Sequence, residues 1–253
     1  MAGRHGDPSL GLRVGLPVVG ALALTAVVGA LFPADAMTRW TVHPAVVAGV
    51  CWAGQLWYAG RGLETVRPWR YVFGAANTLT LLRGGLYAVV AGFLVVPATT
   101  DLAWVPAVCY GAGVALDKLD GTVARTIGEQ TPLGTRLDMA FDTFGFVVAP
   151  LVAVLWGRLP VWYLSIAAAR YVYLGGIRWR RLRGRPVGEH LDSDLSKYLA
   201  GIQMVFLTVA LVPVVPSDIL FAVAPAPLVL SLAVFARDFL VVSGRLPREW
   251  FDG

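Results

Sequence analysis

LDKLDGTVARTIGEQTPLGTRLDMAFDT, Leu116 to Thr143, places four aspartates in two pairs between runs suited to lipid. Charge is costly in such surroundings, and ionisable groups within membrane segments usually mark function. Asp117 and Asp120 stand three apart, and Gly121, Ala124 and Arg125 follow at four, seven and eight from Asp117, so one helix face carries all five. Asp138 and Asp142 stand four apart, with Gly134 one turn earlier on the same stripe. Two helices ending near each other would point four carboxylates into one cleft floored by glycine and alanine. Hard divalent cations take oxygen ligands, and Mg2+ or Mn2+ held by carboxylates commonly grips a pyrophosphate during phosphoryl transfer. Two pairs suit two ions. Small residues at 121, 124 and 134 let a nucleotide approach the backbone, and Arg125 is a natural phosphate partner. Helix caps or a solvated loop with Lys118, Arg125 and Arg136 would explain one pair of aspartates; two pairs in this register favour the metal site.

The rest of the chain is apolar. Of its 253 residues 57% are hydrophobic and 15% charged, and the mean hydropathy is +0.66, so the composition is that of an all-α polytopic membrane protein and not of a soluble domain. The formal charge of +5 does not point to nucleic acid, because the basic residues cluster between apolar runs and form no groove with interleaved aromatics. They read as orientation signals and contacts to membrane lipids with anionic headgroups. Cys51 and Cys109 lie within apolar runs, which argues against a disulfide framework. His5, His43 and His190 are too scattered for a histidine metal site.

The spacing Asp117-x2-Asp120-Gly121-x2-Ala124-Arg125-x8-Gly134-x3-Asp138-x3-Asp142 resembles the signature of the CDP-alcohol phosphotransferases, with every fixed position matched. The resemblance implies a six-helix transmembrane core, a homodimer and two divalent ions, Mg2+ or Mn2+, at the cytoplasmic side. There the family moves a phosphatidyl-type or other substituted phosphoryl group from a CDP-alcohol to a second alcohol and releases CMP. Carried onto this chain, Asp117, Asp120, Asp138 and Asp142 hold the metals, Asp142 is also the base, and Gly121, Ala124, Arg125 and Gly134 receive the CDP part. Asn77-x2-Thr80-x2-Arg83 is similar to the element that opens the first core helix in many relatives. The three sit on one helix face, where Asn77, Thr80 and Arg83 would bond the nucleotide or the motif helices. Arg83 would serve the acceptor, or else snorkel to the interface.

Taken in order, a short basic start precedes an uncharged run from Val14 to Phe32, long enough to span a bilayer. Ala34-Asp35-Ala36 has the look of a signal-peptidase site, but the run is long for a signal and contains Pro17, so an uncleaved helix is expected. A second span, Pro44 to Gly60, completes an N-terminal two-helix extension over 1–60. A basic linker over 61–75, with RGLETVRPWR at its start, leads to a catalytic core over 76–253. The expected core spans end near Val96, start at Leu102, and run over Gly134–Trp156, Leu159–Ile177, Tyr198–Val215 and Ile219–Val242. With the N-terminus inside, the linker, the motif loop, the run Arg178 to Arg185 and the tail are cytoplasmic, and Arg39 and Arg158 fall in external turns. The expected location is therefore the cell membrane, multi-pass, with the site facing the cytoplasm.

Arg170 lies well inside the fourth span, in the region where the family places its acceptor pocket, so the acceptor is expected to meet Arg170, with Arg83, Arg136 and Arg178 in support; a structural ion pair of Arg170 with a motif aspartate is the alternative. The expected reaction joins a CDP-lipid donor to a small polar alcohol, in phospholipid biosynthesis. Many relatives that use a phosphorylated acceptor carry Lys or Arg after the fourth aspartate, whereas this chain has Thr143, Phe144 and Gly145. A carboxylate-lined cation transporter and a non-catalytic membrane scaffold are the alternatives. The transporter leaves Gly121-x2-Ala124-Arg125 unexplained, and the scaffold has no reason to keep every motif residue.

Overall fold

Long apolar stretches rich in alanine, valine and leucine form helices because a bilayer leaves no other partner for the backbone amides. In a computed structural model the chain is described over residues 8–31, 42–60, 75–127, 132–188 and 194–247, and of the side chains at 8–14, 31, 60, 75–76, 120–127 and 132 nothing is said. Among the described residues every regular element is helical, so the protein is an all-α polytopic membrane protein. Four described segments are long and apolar enough to cross a bilayer: 77–95, 133–155, 194–211 and 217–242. Gly15–Ala30 is a shorter apolar helix. The remaining helices fall below that measure for visible reasons: one is short, and two carry the motif charges or the arginine run.

The chain forms two compact units, Met1–Val152 and Ala153–Gly253. In the first, α1 (Pro8–Leu31) packs along α2 (Pro44–Gly60), α2 along α3 (Ala75–Gly92), and α3 along α4 (Val105–Ile127). α5 (Pro132–Leu155) follows, and the unit ends within it at Val152. Small residues let these helices close up, as is usual where lipid supplies no hydrophobic drive for helix association. At Gly49 of α2 a Cβ would lie 2.1 Å from the Thr25 hydroxyl of α1, so only hydrogen fits there. A short 3-10 turn, Phe93–Val95, ends α3 before the turn around Pro97. The linker expected over 61–75 lies outside the described residues up to 74, as does the connection 128–131.

In the second unit a 3-10 turn, Val161–Leu164, precedes α6 (Ser165–Leu182). Two more helical segments follow α7 (Asp194–Leu211): α8 (Ser217–Val223) and α9 (Pro225–Val242), separated at Ala224. α9 packs against α6 and α7. Several boundaries differ from the sequence expectation. α6 starts six residues later than Leu159 and runs on through Arg178, Arg180 and Arg181, because arginine is a good helix former and cations favour a helix C-terminus. α7 starts earlier, with Asp194 at its positive end and 3.7 Å from Lys197, and stops at Leu211, short of Val215.

Pro213 stops the helix, and Arg158 covers its end. Expected as an external turn charge, it is in fact buried, at 9% exposure, and donates to the carbonyls of Ala210 (2.8 Å), Val212 (2.5 Å), Val215 (2.6 Å) and Pro213 (3.3 Å). Ala210 belongs to the last turn of α7, and the other three carbonyls lie in the turn that follows it. A second polar tie holds the interior of this unit. Gln203 of α7 donates to the Tyr163 hydroxyl at 2.6 Å and accepts from Ser231 of α9 at 3.3 Å.

Candidate metal centre

Three helices of the first unit build the site. α3 turns Asn77, Thr80 and Arg83 inward, at 3%, 5% and 0% exposure. A guanidinium that loses all its water needs charged partners. Arg83 finds them on the neighbouring helices: it ion-pairs with Asp117 of α4 and with Asp138 of α5, and its Nη1 lies 3.1 Å from Asp142 Oδ1. The snorkelling alternative is thereby removed. Arg83 is thus turned to the motif helices with its side chain fully buried.

One carboxylate oxygen from each of Asp117, Asp138 and Asp142 lies within 4.8 Å of the others. Two oxygens on opposite sides of one Mg2+ stand about 4.2 Å apart, from metal–oxygen distances of about 2.1 Å. The donor set is hard and anionic, and its spread of up to 4.8 Å is somewhat wider than one coordination shell, so by its chemistry it suits a divalent cation of the Mg2+ or Mn2+ type that would draw the carboxylates closer. The carboxylates are graded in exposure, with side chains at 18% for Asp117, 28% for Asp142 and 48% for Asp138, so the cluster opens on one side. Lys118 extends outward from the same turn and reaches Asp117 at 3.6 Å.

α4 continues as a helix past Asp120 to Ile127, which keeps Asp120, Gly121, Ala124 and Arg125 in helical register with Asp117. The side chains of these four lie outside the described residues. Gly134 sits in the first turn of α5, one turn before Asp138, and Arg136 beside it is exposed. Thr143, where many relatives place a cation, donates its hydroxyl to the Met139 carbonyl of its own helix at 2.7 Å.

Aromatic rings seated on glycines hold the three helices at the distance the ion pairs need. Tyr87 of α3, fully buried, occupies the space opposite Gly113 of α4 and Gly145 of α5, where added Cβ atoms would come within 2.4 and 2.9 Å of its ring. Phe141 of α5 fills the space above Gly84 of α3, leaving 2.4 Å for a Cβ. Each glycine is close in sequence to a charged group of the cluster: Gly84 follows Arg83, Gly113 precedes Asp117 by four, and Gly145 follows Asp142 by three. None of the three is marked out by the motif spacing; a small residue beside Arg83 and one a helical turn from Asp117 and from Asp142 were the available signal.

The second unit carries Arg170 and Arg178. Arg178 is exposed in the last turns of α6. Arg170 is half-buried in the same helix, and among the described residues it has no hydrogen-bond or ion-pair partner; its Nε is buried.

A family model, CDP-alcohol phosphatidyltransferase, matches residues 73–236, from just before α3 into α9, so that α1 and α2 precede the matched region. Curated relatives from two strains of Mycobacterium tuberculosis and from Mycobacterium bovis, each named "Putative cardiolipin synthase", are 30% identical over 122 residues. That alignment covers 47% of this chain and 57% of each relative, so the chain spans little more than half the length of the proteins it matches. No solved structure gives a significant match.

Proposed function

Because this chain belongs to the CDP-alcohol phosphatidyltransferase family, we propose that it transfers a phosphatidyl-type group from a CDP-lipid to an acceptor alcohol, releasing CMP, in phospholipid biosynthesis. The observation that carries the proposal is the convergence of Asp117, Asp138 and Asp142 from two helices into one open-sided cluster. In this reading Asp117, Asp120, Asp138 and Asp142 hold two divalent ions, Mg2+ or Mn2+. Bound metal supplies charge neutralisation to the pyrophosphate and to the departing CMP. Asp142, at the inner end of the α5 pair, takes the acceptor's hydroxyl proton. The acceptor oxygen then bonds to the β-phosphorus, the bond from that phosphorus to the bridging oxygen breaks, and CMP leaves with the electron pair. Gly121, Ala124 and Gly134 leave space for the CDP part, Arg125 pairs with phosphate, and the nearly buried Asn77 and Thr80 line its inner edge.

Arg170 is proposed to bind the acceptor's phosphate or polar head, with Arg136 and Arg178 contributing charge. Its lack of a partner among the described residues supports that role. Thr143, turned back onto its own helix, supports an acceptor that needs no second cation beside Asp142. The name of the curated relatives, cardiolipin synthase, is the reason to test phosphatidylglycerol among the acceptors. The protein is proposed to act as a homodimer in the cell membrane with this site facing the cytoplasm, residues 1–60 forming an extension to a catalytic core over 76–253.

The test is CMP release by purified protein in liposomes with CDP-diacylglycerol and Mg2+ or Mn2+. Phosphatidylglycerol, glycerol 3-phosphate, myo-inositol 1-phosphate, inositol and serine are offered separately. Release with one acceptor, abolished by EDTA and by Asp142→Asn while CDP binding persists, is the expected result. No release with any acceptor and no metal-dependent CDP binding by folded protein would overturn the reading.

A further inference from the structure

The three clustered carboxylates repel one another, and that repulsion acts along the separation of α4 from α5, because Asp117 stands on one helix and Asp138 and Asp142 on the other. Arg83 opposes it from a third helix. Its Nη1 serves Asp117 and Asp142 and its Nη2 serves Asp138, so one planar fork spans the gap. The fork itself cannot wander, since Gly84 beside it is locked under Phe141 and Tyr87 one turn on is held against Gly113 and Gly145.

We infer that Arg83 is a positioning residue of the metal centre: a resident counter-cation that draws the carboxylates of α4 and α5 into one cluster before a divalent ion arrives. Three carboxylates against one guanidinium leave two net negative charges, which Lys118, 3.6 Å from Asp117, lowers further at the exposed rim, so the apo cluster is attractive to cations without pushing its helices apart. Lysine, a single point charge on a flexible stem, would neutralise without fixing the register. The link to metal rests on the function proposed above, whereas the counter-ion role stands on the ion pairs alone.

The experiment is thermal unfolding of the full-length protein in detergent, in EDTA and in Mg2+ or Mn2+. The variants are Arg83→Met, Arg83→Lys, Asp117→Asn and the double variant Arg83→Met with Asp117→Asn. In EDTA, Arg83→Met is expected to lower the midpoint by several degrees and Arg83→Lys by less. Asp117→Asn, which costs stability in the parent, is expected to restore it in the Arg83→Met background, because it removes a carboxylate that has lost its counter-charge. The divalent ion is expected to raise the midpoint of Arg83→Met more than that of the parent. If Arg83→Met cannot be recovered folded, recovery of the double variant supports the inference equally. Additive losses in the double variant, or failure of both to fold, overturn it and reduce Arg83 to packing. Charge rescue with no response to either cation would keep the counter-ion role and overturn the metal reading; additive losses with a cation response in the parent would do the reverse.

Discussion

Arg170 and Arg83 are both arginines within apolar helices, yet their surroundings assign them opposite tasks. Arg83 meets three carboxylates through its two terminal nitrogens, while Arg170 keeps an unengaged guanidinium among the described residues. A hydrogen bond to a charged group is worth about 1.5–3 kcal/mol, so losing one from a bound acceptor corresponds to roughly 10- to 100-fold in affinity. Arg170→Gln is therefore expected to raise the acceptor KM by about that factor and leave the CDP-lipid KM unchanged, which steady-state CMP release with each substrate varied in turn will read. An equal change in both constants would remove Arg170 from acceptor binding. The four aspartates and their pairing were legible in the sequence because helical spacing is a local property. That Arg83 could reach the motif helices was legible too; which aspartates it meets was not, since Asp117 and Asp138 lie 34 and 55 residues away.

At the scale of elements, glycine contacts and a single cap set how the helices meet. Glycine to alanine in a helix interior ordinarily stabilises by about 1 kcal/mol. At Gly84 the new methyl would come within 2.4–2.6 Å of three atoms of the fully buried Phe141 ring, which has nowhere to move. Overpacking of this kind costs about 1–3 kcal/mol, and contact with a rigid ring places Gly84→Ala toward the upper end. The expected outcome is net destabilisation in detergent unfolding together with loss of activity, against the sign that propensity alone predicts. Arg158 governs the end of α7 in the same local manner. Arg158→Met would strip the donor from four carbonyls in and after the last turn of that helix, at a cost of about 3 kcal/mol. Arg158→Lys should recover part of the loss, because one ammonium reaches fewer carbonyls than the guanidinium fork; full recovery would show that charge alone suffices.

For the molecule as a whole, the family match begins at residue 73, after α1 and α2, although α2 packs along α3 within one compact unit. A chain starting at residue 61 is expected to keep metal-dependent CMP release and to lose thermal stability, since α3 would exchange its α2 neighbour for lipid. Retained stability with lost turnover would instead give the two helices a part in the reaction. The sequence alone determined the membrane class, the two aspartate pairs and the family to which they point, because hydropathy and helical periodicity are written in neighbouring residues. Tertiary structure alone decided that a buried arginine sits among three of the aspartates, that three glycines exist to receive Tyr87 and Phe141, and that Arg158 caps a helix about 50 residues downstream. Each of these depends on which helices become neighbours, and periodicity within one helix carries no record of the residue that will face it from another.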